Sequence, residues 1–561
     1  MRSIIQAIAA AGAVLFCASA AAPPRIDYTL TPVMEGSALR AVQIDLRFRG
    51  EADGESDLRL PDSWGGQNEL WRGIEGLEIV SGAAALRNGE AANVRIITHR
   101  PNARIHVRYR VIQDWDGLPR AEIGNVYRPT IQPTYFHLIG NAFMATPGAA
   151  TLDTRVRFTV RDLPRGWSYA SDLEHPDLRL SEVWSSIVVA GDFRILRDPR
   201  SQVRVAIRGE WSFTDADFLN RAANILSSGR SFWGDGATPY LVTVLHLEGP
   251  EGWLSVGGTG LDDAFAFFAT PNAGADPIAR TLAHESFHTW ISSQVGGLPN
   301  DDQALQYWLS EGFTDFYTAR LLVRGGQWTV EQYVADLNEA LRAYAQSPAR
   351  TASNAQILEN FWSDRDTQRL PYQRGRFLAM IWDARLRSAG HSMDDIVHDM
   401  RRRARNGDQY AVETFVAAAP SFGLDLGSDI ETYVDQGAAI LLPEDVVAPC
   451  GRVITRDVPN FHRGFDIQAT QANNNIITGV DRTLPAYAAG LRDGMILLRR
   501  DGGEIGNSEV EIAYVVRDGD TERTFRYMPR GQGAYTMQQL ELAQGLEGER
   551  LAQCLAVIGG G

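Results

Sequence analysis

Two imidazoles four positions apart in one helical segment, and an acid in a later helical segment, can meet only if the chain packs those two helices side by side. This chain carries that pattern as His284-Glu285-Ser286-Phe287-His288 followed by Trp308-Leu309-Ser310-Glu311-Gly312-Phe313-Thr314-Asp315. Residues four apart share a helix face, so both His rings reach one metal ion. Glu285, one position round, is aimed at a water on that ion. Two His and one carboxylate leave a zinc ion an open fourth position, the arrangement of a reactive rather than a structural site.

A surface helix with two unrelated His is the competing reading of the pentapeptide. It weakens because Asp276-Pro277 is a good helix start and Gly296-Gly297 a good stop, which places the motif centrally in a helix of about twenty residues. A second helix, beginning near Trp308, offers Glu311 and Asp315 at i, i+4. Glu311 is then the expected third ligand. Asp315, one turn on, is expected to accept the outer N–H of a ligating His, the alternative being a plain carboxylate on the helix surface. Glu285 is expected to take a proton from the activated water and pass it to a leaving amine, so the implied reaction is amide hydrolysis by one Zn2+ per chain.

At 561 residues the chain exceeds what one core can serve, and three or four domains are expected. A hydrophobic content of 44% argues against disorder, and a net charge of -15 argues against a nucleic-acid partner. All 54 basic residues are Arg, which excludes Lys chemistry. The apolar run Ile4 to Phe16 followed by Ala18-Ser19-Ala20 reads as a secretory signal over 1–20, placing the mature chain outside the cell or in the periplasm. The run is short for the alternative, a membrane anchor, and no later segment reads as transmembrane. Cys17 follows a bulky Phe16, which does not suit lipoprotein processing. Cys450 and Cys554 flank a C-terminal region. A disulfide between them would stabilise by about 4 to 5 kcal/mol in the chain-entropy treatment, and two unpaired thiols are the alternative.

Period-two alternation, as in Val42, Ile44, Leu46 and Phe48, then Ile105, Val107 and Tyr109, then Val156, Phe158 and Val160, then Val203, Val205 and Ile207, predicts a β-rich domain over 21–210. Thr214 to Asp217 reads as a capping box opening a helix to about Ser227, and Leu241 to Leu247 as a buried strand. This mixed α and β character marks a further domain over 211–325, the one that contains the His and Glu pattern. Thr329 with Gln332 and Ser392 with Asp395 open helices of a subdomain over 326–447 that completes the site. A Pro-containing linker leads to a short-strand region, 448–535, and a tail, 536–561. An oxyanion also needs a donor. Tyr372 stands just before a helical run, and a lone Tyr there is ordinarily packing.

The segments HESFH (284–288), WLSEGFTDFY (308–317), YQRG (372–375) followed by FLAMIWDARLR (377–387), and Tyr433-Val434 with Gly437 and Leu442-Pro443 together resemble the glycyl aminopeptidase family of gluzincin metallopeptidases. The resemblance is strongest over 255–445. It implies a multidomain fold: a β-rich N-terminal domain, an α+β thermolysin-like catalytic domain with a helical subdomain, and a C-terminal PDZ domain. It also implies that Tyr372 stabilises the oxyanion, with Arg374 in place of the usual Lys. Where relatives carry a longer acid that grips the substrate amine, this chain has Gly258-Thr259-Gly260-Leu261-Asp262-Asp263. Asp262 is the implied amine ligand, one methylene shorter, or else Asp262 and Asp263 form a polar turn.

Arg463-Gly464-Phe465-Asp466-Ile467 and the Pro485 to Leu497 stretch look like a PDZ domain. Gly464, Phe465, Asp466 and Ile467 would then present backbone N–H groups to a peptide's terminal carboxylate beside an open strand edge, or the groove would dock internally on the catalytic domain. Three functions follow as expectations: an aminopeptidase acting on peptides with small N-terminal residues such as Gly or Ala, an endopeptidase on the same scaffold, or a PDZ peptide-binding scaffold with a non-catalytic zinc site.

Overall fold

The computed structural model describes residues 25–121, 125–249, 254–291 and 293–560. The signal read at 1–20 lies outside the described residues.

The alternating stretches form sheets. Arg25–Glu35 pairs antiparallel with Ala38–Arg49, which pairs with Arg104–Val111, inside a six-stranded sheet. Val42, Ile44, Leu46 and Phe48 point inward from the second strand and are buried. They share a core with Leu58 and Ile97 of a four-stranded sheet, each such side chain contributing about 1.5 to 3 kcal/mol by leaving water. A second four-stranded sheet, containing Tyr135–Ile139 and Ile187–Gly191, is buried on both faces. Phe136, Leu138, Val188 and Ala190 face the N-terminal core. Tyr135, Ile139, Ile187 and Val189 face the next sheet.

That next sheet has five strands in the order Arg194–Asp198, Val203–Ile207, Tyr240–His246, Ala264–Ala269, Val256–Gly260. The expected boundary at 210 is therefore too late: Val203, Val205 and Ile207 belong with this following sheet, Val203–Ile207 lying parallel to Tyr240–His246. Alternation along one strand says which residues are buried, and nothing about which sheet receives them. Strands covered on both faces read as continuous apolar runs, as Leu241 to Leu247 does. Val256–Gly260 is the antiparallel edge strand.

Helices cover the other face of this sheet. The first, α1 (Asp215–Trp233), is capped by the Thr214 side chain, which accepts from the Asp217 N–H, and ends at Gly234 with φ 70°. Next come α2 (Ala275–Phe287) and α3 (Tyr307–Arg324), which carry the motif residues, then α4 (Val330–Gln346) with the Thr329/Gln332 capping box, then α5 (Arg365–Ser388). The motif helix stops sooner than expected. His288 is its C-cap, and residues 288–291 continue in tighter turns, so the two His sit on its last turn rather than at its centre. Tyr372 lies inside α5, not before it, one residue past Pro371, which the helix tolerates in its second turn.

Two glycines set the distance between α3 and α5. A Cβ on Gly312 would lie 2.4 Å from the Gly375 Cα, and one on Gly375 would lie 1.6 Å from the Trp308 carbonyl oxygen. The helices thus cross backbone to backbone, which sets the height of Tyr372 relative to Glu311.

The C-terminal region pairs Gly451–Phe461 with Arg530–Leu542 and adds a three-stranded sheet over 496–527. Residues 536–560, the described part of the expected tail 536–561, are structured. They complete the long strand and then form α6 (Gly548–Gly559), which packs on α3, where Arg320 donates to the Val557 carbonyl, and Cys554 is bonded to Cys450. The domain also docks on α4. The Asn338 amide donates to the Leu540 carbonyl (3.0 Å) and accepts from its N–H (2.7 Å), and Gln346 donates to the Gly506 carbonyl and the Tyr535 hydroxyl.

Candidate zinc site and its surroundings

The two helices meet as the spacing requires. His284 Nε2 and His288 Nε2 each lie 3.3 Å from one carboxylate oxygen of Glu311. The donor atoms of these three residues all lie within 4.8 Å of one another, and the two 3.3 Å separations match the roughly 3.4 Å between neighbouring ligands of a tetrahedral ion with bonds of about 2.1 Å. Burial alone would push His284 down, but its contacts with Asp315 and Glu311 outweigh this and raise it to about 10. Burial would likewise raise Glu311, yet the two imidazoles hold it far below the usual carboxylate range. A cluster of two His and one acid, with His284 buried and His288 and Glu311 partly so, fits a divalent ion.

Asp315 is brought to the outer side of His284. Its Oδ1 lies 2.9 Å from His284 Nδ1, which leaves Nε2 directed at the ligand cluster. The Asp315 carboxylate stays ionised against its burial because Arg280 lies beside it, the guanidinium donating at 3.1 Å. Neither Arg280 nor its other partner, Asp336, was singled out from the sequence. Thr314 also joins the shell, with its hydroxyl 3.5 Å from His288 Nδ1.

Tyr372 lies over the cluster, its ring stacked on His284 at 5.8 Å between centroids. Burial and the nearby Glu311 and Glu285 carboxylates push its hydroxyl well up, so it is a neutral donor. Arg374 points elsewhere: it is fully buried, and its guanidinium donates to the carbonyls of Ala352 and Val434. That residue fixes a loop.

The edge strand Val256–Gly260 runs past Glu285. A Cβ on Gly260 would lie 3.1 Å from the Glu285 carbonyl oxygen and 3.7 Å from its Oε2, so the glycine keeps the space beside that carboxylate clear. From the N-terminal domain Tyr127 reaches the same strand, its hydroxyl donating to the Gly258 carbonyl at 3.1 Å and its ring edge-on to Trp64 and Phe268. Sequence reading missed Tyr127 because it comes from a different domain. Asp262 lies in the exposed turn after the strand, its N–H donating to Ser185 Oγ. Partial burial, then Asp263 and Glu182, push its carboxyl up against the lowering effect of Ser185.

The segment Gly464 to Ile467 is not an open cradle. The Gly464 N–H donates to His462 Nδ1 and the Asp466 N–H to the Thr478 carbonyl, while Phe465 is buried. Asp466 caps a helix, Ile467–Ala472, by accepting from Gln468 and Ala469, so a helix stands where a free strand edge was expected. Docking runs instead onto α4, through the Arg530–Leu542 strand and the loop at Glu504 to Gly506.

Residues 278–369, which contain His284, His288 and Glu311, match the M61 glycyl aminopeptidase family. Among curated proteins none matches the sequence significantly. An aminopeptidase N family protein from Idiomarina loihiensis superimposes with a TM-score of 0.66 at 14% identity, covering 95% of this chain and 100% of its own. An M1 zinc metallopeptidase from Deinococcus radiodurans gives a TM-score of 0.46 at 16% identity, covering 75% of this chain and 95% of its own.

Proposed function

For this zinc metallopeptidase, whose ligand-bearing segment is of the M61 glycyl aminopeptidase type, we propose removal of small N-terminal residues such as Gly or Ala from peptides in a secreted or periplasmic setting. The observation that carries the reading is the convergence of His284, His288 and Glu311, with Glu285 and Tyr372 beside them. Zinc held by those three residues supplies Lewis acidity toward water and the scissile carbonyl. Glu285 takes the proton of the attacking water as the C–O bond forms and delivers it to the amine as the C–N bond breaks. Tyr372, held neutral, donates to the oxygen on which negative charge develops.

An extended peptide lies along Val256–Gly260, in the space that Gly260 leaves open. Tyr127 occupies the Gly258 carbonyl and so shortens the stretch of edge available for pairing, which suits a site that takes a chain end. Asp262 is the proposed amine ligand, and its position in an exposed turn favours a loose grip. The Cys450–Cys554 disulfide supports an oxidising compartment. The endopeptidase alternative rests on the same turn position.

Peptides with a free N-terminal Gly or Ala, paired with their N-acetylated forms, separate the two. A charge-assisted contact to the amine is worth about 1.5 to 3 kcal/mol, so the free peptides are expected to be cleaved roughly 10- to 150-fold faster in kcat/KM. Chelation should abolish both activities and zinc restore them. Equal turnover of the acetylated peptide would replace the exopeptidase reading with the endopeptidase one.

A further inference from the structure

Each helix that carries a functional group also carries a charged residue one turn away. Arg280 precedes His284 by four positions on α2, Asp315 follows Glu311 by four on α3, and Arg376 follows Tyr372 by four on α5. These three charges meet through Asp336 of α4. Arg280 donates from Nη2 to Asp315 Oδ1 (3.1 Å) and from Nε to Asp336 Oδ1 (2.8 Å), and Arg376 Nη2 lies 2.6 Å from Asp336 Oδ2. The signs alternate from end to end. The Arg376 side chain is 2% exposed, Asp315 12%, Asp336 14% and Arg280 34%.

We infer that Arg280, Asp336 and Arg376 are positioning residues that set the zinc ligand geometry from behind, acting on His284 through Asp315 and locking the α2, α3 and α5 helices in register. This rests on the zinc reading of the site. His284 presents Nε2 inward when its Nδ1–H finds an acceptor fixed in place. Asp315 is that acceptor, and Arg280 shares the same oxygen. A guanidinium beside one acid can swing; one that forks across two acids has its plane defined. Asp336 supplies the second acid, and Arg376 balances Asp336 from the helix that carries Tyr372. The same α4 holds Asn338, two residues on, against the C-terminal strand, so the network is braced on the docked domain.

A purely structural glue would lower thermal stability without altering metal affinity in the folded protein. The positioning role predicts otherwise. Asp336→Asn, which keeps shape and removes charge, should weaken zinc binding about 10- to 100-fold in competition with a chromogenic chelator. It should also lower kcat while KM stays within about twofold, and Asp336→Glu should recover part of both. Arg280→Lys, which keeps the charge but not the fork, should weaken zinc binding in the same direction and serves if Asp336→Asn does not fold. Wild-type zinc affinity in a folded Asp336→Asn or Arg280→Lys protein would overturn the inference. A wild-type chain that takes up no zinc would overturn it together with the reading beneath it, and the wild-type measurement tells the two failures apart.

Discussion

Glu285→Gln is expected to lower kcat by on the order of 10² to 10⁴-fold while leaving the fold and the bound zinc in place. The amide keeps the shape of the carboxylate and cannot accept a proton. Glu285 is not among the three ligand residues, and its side chain faces the cleared space at Gly260 rather than the core. The loss should therefore fall on kcat, with KM little changed, because the proton is transferred in the transition state and not in the bound ground state. Zinc content measured on the same preparation separates the two explanations of a dead variant. Near-normal turnover with zinc bound would mean that another group performs the proton transfer.

Gly375→Ala is expected to destabilise by about 3 kcal/mol or more and to remove most activity. At an ordinary helix interior the same change stabilises by about 0.5 to 1 kcal/mol, so the sign itself is diagnostic. Here the new methyl would meet the Trp308 carbonyl oxygen at 1.6 Å, and a backbone oxygen cannot rotate away. The helices must part, and Tyr372, one turn earlier on α5, moves with them relative to Glu311 on α3. Melting should fall by roughly 6 to 12 °C, a fall of 3 kcal/mol at about 2 to 4 °C per kcal/mol. An unchanged melting temperature with wild-type turnover would show that the crossing is not as tight as described.

What could be read from the sequence, and what could not, divides by whether a physical rule acts within one segment or between segments. The ligand set was legible because metal chemistry imposes spacing: His284 and His288 share a face only at i, i+4, and Glu311 with Asp315 repeats that spacing on the partner helix. The capping boxes at Thr329 and Ser392 were legible for the same local reason. The assignment of Val203 to Ile207 to the wrong domain came from a rule that acts between segments. Its parallel partner lies beyond the whole of α1, and no pattern within the strand names it.

The Gly464 to Ile467 segment carries a local signal for the helix: Asp is a favoured N-cap, and Asp466 is one. Arg280, Asp336 and Arg376 had no such signal. Charges a turn apart are the ordinary pattern of a solvated helix face, and only the meeting of four helices turns them inward. The placing of Tyr372 against His284 had no signal in the residues themselves, since a Tyr beside a Pro carries no geometry of its own until α5 crosses α3.

The central claim is that His284, His288 and Glu311 hold one zinc ion. Metal analysis of purified protein by mass spectrometry, wild type against Glu311→Ala, tests it most directly. The account predicts about one zinc per wild-type chain and little or none in a folded Glu311→Ala variant, the arrangement of a three-residue site losing one ligand. Equal zinc in both proteins, or none in either after reconstitution, would contradict it.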